Sequence, residues 1–218
     1  FIKSFITIAI DGGAGSGKST TASTLSTRLN FMHVDTGSHY RAIASMLLED
    51  QVELNETDIK ANLNKFNLNS SLAGLKSSLT INDKLISTTI LRSESVNNSV
   101  SQIASIPCVR DLLFKYQRSQ ILLAERHKFN GLVMEGRDIG SVILPDADLK
   151  IYLHASDSIR EQRRSIDGER DQILKRDLID SSRKVAPLVK SEGSFLINTG
   201  ELSINEVFTE ISSLISEL

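Results

Sequence analysis

The stretch that most constrains this chain is Ile6-Thr-Ile-Ala-Ile-Asp-Gly-Gly-Ala-Gly-Ser-Gly-Lys-Ser-Thr20. An apolar, β-branched run from Phe5 to Ile10 reads as a buried strand. It enters Gly12-x-x-x-x-Gly17-Lys18-Ser19, which fits the phosphate-loop pattern G-x-x-x-x-G-K-[ST]. The helical segment Thr20 to Leu29 follows. Glycines at 12, 13, 15 and 17 let successive backbone N–H groups turn inward, and a helix N-terminus completes a concave anion site. Across Gly12, Gly13, Ala14, Gly15, Ser16, Gly17, Lys18, Ser19 and Thr20, this predicts a cradle for the phosphates of a nucleoside triphosphate. Lys18 supplies positive charge between the outer phosphates, and the Ser19 hydroxyl is a ligand for the accompanying Mg²⁺. The competing reading is a glycine turn that binds nothing; the strand before it and the helix after it argue against that.

Composition sets outer bounds. A chain of 218 residues suits one domain with insertions. A formal charge of −2 argues against a general nucleic-acid binder and puts positive charge in local pockets. The single cysteine, Cys108, excludes an internal disulfide framework and fits a reducing compartment, hence a cytoplasmic location. No apolar run reaches the length of a membrane-spanning helix, so no membrane partner is expected. The start, Phe-Ile-Lys-Ser-Phe, is too short and polar for a signal peptide, and without an initiator Met it leaves room for residues upstream.

Along the chain, Phe31-Met-His-Val34 reads as a second strand ending at Asp35. Asp35 and Thr36 suit a helix start before the pattern Ala42 to Leu48. Either this segment does no more than cap the helix, or Arg41, near that start, clamps a second phosphate; local pattern leaves both open. Residues 56–106 are dense in Asn and Ser with short apolar runs, and Asn82-Asp-Lys84 looks like a hairpin turn. This predicts a small antiparallel sheet inserted between αβ units. Pro107 to Lys128 is helical. Gly131-Leu-Val-Met134 reads as a strand ending in Glu135-Gly-Arg-Asp138, where a carboxylate can hold Mg²⁺. Leu149 to Leu153 is a fourth core strand. A charged helical hairpin between Arg160 and Lys184 carries Arg163 and Arg164, and also Arg176-Asp177-x-x-Asp180-x-x-Arg183, whose spacing puts Arg176, Asp180 and Arg183 on one helix face. Phe195 to Asn198 is the last strand, followed by an amphipathic helix. The four histidines form no spaced ligand set. A guanine-specifying Asn-Lys-x-Asp is absent, since Asn64-Lys65-Phe66-Asn67 ends in Asn, which argues against a GTPase-like switch.

The chain resembles a bacterial cytidylate kinase, of the nucleoside monophosphate kinase family, over nearly its whole length. The likeness rests on Ala9–Thr20, Asp35-Thr-Gly-Ser-His-Tyr-Arg-Ala42, Arg92-Ser-Glu-Ser-Val96, Gly136-Arg-Asp-Ile-Gly140, Pro145–Ile151 and Asp180-Ser-Ser-Arg-Lys-Val-Ala-Pro-Leu188. The resemblance implies an α/β phosphate-loop fold, three layers deep with a five-stranded parallel sheet, carrying an antiparallel insertion at 56–106 and a short helical lid at 160–172 within one domain, 1–218. It implies transfer of the γ-phosphoryl of ATP to CMP or dCMP with Mg²⁺ on Ser19 and Glu135, in a chain expected to be a monomer. It also assigns residues. Ser101, Arg110 and Asp138 read cytosine. Arg41, Arg137 and Arg183 grip the acceptor phosphate, in a site shared with Asp35, Thr36 and Tyr40. Arg176 and Asp180 meet the sugar, and Arg163 and Arg164 face the ATP phosphates. Lys18, Arg137, Arg163, Arg164 and Arg183 are then the catalytic cations. The chain departs from the family at Gly13, where Pro is usual, at Ser38-His39, where Ala-Met is more common, and at Cys108, where a basic residue is frequent. Other acceptors on the same fold, or a nucleotide-binding regulator without turnover, are the rival readings.

Overall fold

Alternation within the first strand decides how the layers assemble. In β1 (Ile6–Gly12) successive side chains point to opposite faces. Ile8 and Ile10 enter one hydrophobic cluster and Ala9 enters another. The computed structural model describes residues 5–166 and 173–218, apart from the side chains of Ile173, Leu174 and Arg176. From β1 the chain passes through the glycine loop into α1 (Lys18–Leu29), then β2 (Phe31–Asp35) and α2 (Thr36–Glu49). An excursion follows with α3 (Glu56–Leu63), β3 (Leu68–Ala73), β4 (Lys76–Ile81), β5 (Lys84–Leu85), α4 (Thr88–Leu91) and α5 (Glu94–Ile103). The chain returns through α6 (Pro107–Arg126), β6 (Gly131–Gly136), a π-helical turn Ile139–Ile143 and β7 (Leu149–His154). It continues with α7 (Asp157–Ile166), α8 (Ile173–Ser181), β8 (Phe195–Asn198) and α9 (Ile204–Ser216).

The central strands run parallel in the order β2-β6-β1-β7-β8. One face packs on α1 and α9 through Ala22, Leu25, Val207 and Ile211. The opposite face packs on α6 and the π-helical turn through Ala124, Ile139 and Ile143. A fully buried Ile such as Ile8 or Ile10 contributes about 2 kcal/mol. β1 sits between β6 and β7, so Gly12 and the loop leave the sheet at its centre, at the carboxyl ends of the strands.

The excursion differs from its expectation. The hairpin is present: Asn82 and Asp83 adopt left-handed backbone between paired Ile81 and Lys84. A second hairpin, β3–β4, turns at Gly74. These strands do not form a separate sheet. β4 joins the edge of β2, with His33 opposite Lys76 and Val34 opposite Ser77. Much of the segment is helical instead. Ile59, Leu63, Val96, Val100 and Ile103 are buried against α2 and α6 in one cluster, and that tertiary burial outweighs the weak local preference of an Asn/Ser-rich run. α2 also begins earlier than its apolar pattern, at Thr36, because Asp35 caps it by accepting from the Ser38 N–H at 3.1 Å. Arg183 lies beyond the end of α8, not on its face, because the chain turns back and Leu188 N–H bonds to the Asp180 carbonyl.

His39, in α2, is fully buried with its ring edge against Tyr116, and neither ring nitrogen has a hydrogen-bond partner. Burial pulls its pKa down to about 4, with Asp35 opposing and Lys76 reinforcing. The folded ring therefore stays neutral while the unfolded one accepts a proton near 6.5. The stability linked to neutral His39 is fully present above 6.5 and is lost as pH falls toward 4. His39→Met is expected to raise stability at pH 7.5 by about 1 kcal/mol and to lose less on acidification. Denaturant unfolding at pH 7.5 and pH 5 measures both, and an equal acid loss in the two proteins would refute the assignment.

Candidate active site

The glycine loop is held in shape by backbone and by side chains from three later elements. Gly17, at φ 88°, is the left-handed N-cap of α1, a conformation that disfavours any side chain. Lys18 and Ser19 are the first helical residues. Lys18 Nζ donates to the Gly13 carbonyl at 2.7 Å. From α7, Arg160 Nη1 donates to the Ala14 carbonyl at 3.1 Å, and Arg163 Nη1 donates to the Thr199 hydroxyl at 3.0 Å. That hydroxyl in turn donates to the Ser16 carbonyl at 2.9 Å. Arg163 thus reaches the loop through Thr199 and directly, at 3.4 Å, through the Gly15 carbonyl, and both Arg163 and Arg164 border the adjoining cleft.

The cleft has a volume of about 700 Å³ and runs from the loop to the excursion. Ala14, Gly15, Gly17, Lys18, Ser19 and Thr20 border its loop end. Asp35, Thr36, Tyr40, Arg41, Ser101, Arg137, Asp138, Asp180 and Arg183 line the rest of it. The expected site residues are therefore gathered in one place, with four exceptions among the described residues: Gly12, Gly13, Ser16 and Arg110 do not border the cleft. Arg110 stands behind Asp138, to which its Nη2 is paired, and donates from Nη1 to the Ala104 carbonyl at 3.0 Å. Arg41 Nη1 donates to the Leu91 carbonyl at 2.9 Å and to Asn97, so it ties α2 to the α4–α5 region of the excursion. The Arg176 side chain, expected at the sugar, lies outside the described residues, as does the lid segment 167–172.

Three carboxylates organise the middle. Asp138 is buried; burial raises its pKa against the pull of Arg110 and Arg183. Asp180 pairs with Arg183 Nη2 and, at 3.1 Å, with Arg137 Nε. Glu135 Oε2 accepts from the Ser19 hydroxyl at 2.9 Å, and Oε1 is 2.8 Å from His33 Nε2. Ser19 and Glu135 are hard oxygen donors facing each other at the loop, which fits Mg²⁺. No group of three or more His, Cys, Asp or Glu able to hold a metal occurs among the described residues. Two protein ligands with the remainder from phosphates and water is the usual arrangement for this ion.

Sequence reasoning missed four participants. Asp11 accepts from the Ile139 and Gly140 N–H groups at 2.7 and 2.8 Å, which pins the Gly136–Gly140 segment to the end of β1. Burial raises its pKa to about 6, against those two bonds. The strand-end position of Asp11, one residue before Gly12, was the available signal. His33, Arg160 and Thr199 carried no local signal for the site, since the Glu135, Ala14 and Ser16 groups that they meet there lie 102, 146 and 183 residues away.

A family model described as cytidylate kinase matches residues 8–217. A cytidylate kinase of Streptomyces avermitilis is 36% identical over 220 residues, covering 97% of this chain and 93% of its own. Those of Geobacillus sp. (strain WCH70) and Desulforamulus reducens are each 39% identical, over 228 and 215 residues, covering 97% and 94% of both partners.

The loop carries a charge signature that can be measured. Burial, then the neighbouring Arg137 charge, lowers the Lys18 pKa to about 7, against the pull of Glu135, Asp177 and Asp11. At pH 8 the amine of the nucleotide-free protein is mostly neutral; a bound triphosphate favours its charged form. Binding of a non-hydrolysable ATP analogue at pH 8 is expected to take up on the order of one proton, and much less at pH 6. Calorimetry in two buffers of different ionisation enthalpy reads this directly. Absence of uptake at pH 8 would mean that Lys18 is already charged before the nucleotide arrives.

Proposed function

The chain belongs to the cytidylate kinase family, and from that premise we propose that it transfers the γ-phosphoryl of ATP to CMP or dCMP, giving ADP and CDP or dCDP. The observation that carries this reading is one cleft lined by the phosphate loop, by the buried carboxylate Asp138 and by the guanidinium groups of Arg41, Arg137 and Arg183. In the same reading residues 1–218 are one phosphate-loop kinase domain, 56–106 is its monophosphate-binding insertion and 160–172 its lid. The chain works as a monomer in the cytoplasm; no helix among the described residues is long and apolar enough to cross a membrane.

The chemistry needs positioning and charge neutralisation, not a dedicated base, because the acceptor is already an ionised phosphate oxygen. The loop N–H groups and Lys18 hold the donor phosphates. Mg²⁺, held by Ser19 and Glu135, would neutralise charge on them when bound. Arg41, Arg137 and Arg183 grip the acceptor phosphate. Asp138 accepts from the cytosine N4 amino group, with Ser101 beside it in the cleft and Arg110 holding the carboxylate from behind; a carboxylate opposite the O4 carbonyl of uracil would be repelled. Asp180, with Arg176, meets the sugar. Arg163 and Arg164 stabilise the phosphoryl group in transit, and closure over the cleft excludes water as a competing acceptor.

The reading is tested by ADP release from ATP with CMP, dCMP, UMP and AMP side by side. CMP or dCMP is expected to lead UMP and AMP by tenfold or more in kcat/KM, on the order of the discrimination from one base contact. Equal turnover of all four would remove the base pocket from the account. Lys18→Ala is expected to lower kcat by at least about 100-fold, with near-normal rates counting against the loop's role. Asp138→Ala is expected to raise KM for CMP far more than for ATP; an unchanged KM for CMP would mean that the base binds elsewhere.

A further inference from the structure

One carboxylate beside the glycine loop has no part in the chemistry above. Asp177, on α8, accepts from the Ala14 N–H at 3.0 Å and from Arg137 Nη1 at 3.1 Å, both through Oδ1. Its Oδ2 accepts from Arg160 Nη1. Burial alone would raise the Asp177 carboxyl, but the Arg137 charge, the Ala14 N–H and Arg160 hold it below the usual carboxylate range. The loop leaves room for this junction: a Cβ at Gly13 would lie 2.5 Å from Arg160 Nη1 and 2.7 Å from Asp177 Oδ2.

The consequence falls on Arg137. Its Nη1 also donates to the Gly12 carbonyl at 2.8 Å, and its Nε pairs with Asp180 at 3.1 Å. Two aspartates one turn apart on α8 thus grip Nε and Nη1 and fix the guanidinium plane. Nη2 is the nitrogen that the protein does not engage among the described residues. Without Asp177 the group would keep Asp180 on Nε but only the uncharged Gly12 carbonyl on Nη1, a weaker hold than a second carboxylate.

We propose that Asp177 is a positioning residue for phosphoryl transfer, locking Arg137 to the phosphate loop so that the acceptor-side guanidinium is oriented before either nucleotide arrives. This rests on the kinase reading above. A misplacement of about 1 Å at a reacting centre costs on the order of 100-fold in rate, so the effect belongs in kcat.

Asp177→Asn removes the charge in either amide orientation; with its oxygen toward the Ala14 N–H and Arg137 Nη1 it turns a donor toward Arg160 Nη1, and flipped it turns that donor toward Ala14 and Arg137. In assays with ATP and CMP its kcat is expected to fall roughly 100-fold, with each KM within about threefold of the parent. Because Asp177 acts through Arg137, adding Asp177→Asn to Arg137→Lys should cost less than about threefold more. A kcat within twofold of the parent, a loss confined to KM, or additive losses in the double variant would each overturn the proposal. Asp177→Ala, which cannot turn a donor toward the guanidinium, carries the same expectations where Asp177→Asn does not fold. A second readout does not depend on the acceptor. In the nucleotide-free, ¹⁵N-labelled protein the two Arg137 Nη nitrogens should give separate NMR signals, and exchange between them should be faster in Asp177→Ala, which leaves Nη1 only the Gly12 carbonyl. Averaged signals already in the parent would sink the proposal. Failure of the parent to phosphorylate any pyrimidine monophosphate would instead refute the kinase reading, and the NMR comparison would still decide for or against Asp177.

Discussion

Mutual repulsion among cations is the constraint that the centre of this molecule is arranged to meet. Lys18, Arg137, Arg160 and Arg163 converge on the glycine loop, and Arg183 adjoins them through Asp180, which it shares with Arg137. The strain is visible at Lys18, whose pKa falls to about 7 through burial and the Arg137 charge. Without ligand anions, each cation must find a protein partner, and most do. Arg160 takes Asp157 and Asp177, Arg137 takes Asp177 and Asp180, Arg183 takes Asp180, and Arg163 takes the hydroxyl and carbonyl of Thr199. Such pairs, partly buried, add little net stability because desolvation offsets attraction. Their value lies in orientation: a site for two polyanions stays folded and aimed before those anions bind.

The sheet makes that arrangement possible by geometry. With β1 between β6 and β7, the loop after β1 and the Gly136-Arg-Asp-Ile-Gly140 segment after β6 emerge side by side. Asp11 fastens them together through two backbone N–H groups, and the Asp35–Glu135 register brings the start of α2 beside Glu135. The excursion is not a free appendage on this frame. β4 extends the sheet from β2, while Val96, Val100 and Ile103 pack with residues of α2 in one cluster, so the wall that carries Ser101 shares a core with the helix that carries Arg41. A shift of the excursion would move both ends of the acceptor site together.

The sequence alone determined the kind of chemistry. A strand, a glycine-rich turn and Lys18-Ser19 at a helix start leave few foldable alternatives to a phosphate cradle, because each residue type there answers a local backbone or charge requirement. The five core strands were readable for the same local reason, as short apolar runs bounded by turns, and so was the Asn82-Asp83 hairpin. α5 was not read from the sequence: Val96, Val100 and Ile103 fall at i, i+4 and i+7, yet the surrounding Asn and Ser hide the stripe until α2 is packed against it. Only the tertiary structure decided which cation faces which anion. Asp177, Asp180, Arg160 and Arg183 sit in one charged run, and spacing along a helix could neither move Arg183 off α8 nor aim Asp177 at Ala14, 163 residues away. Those pairings depend on where the sheet delivers its loops, and that is fixed by burial summed over the whole chain.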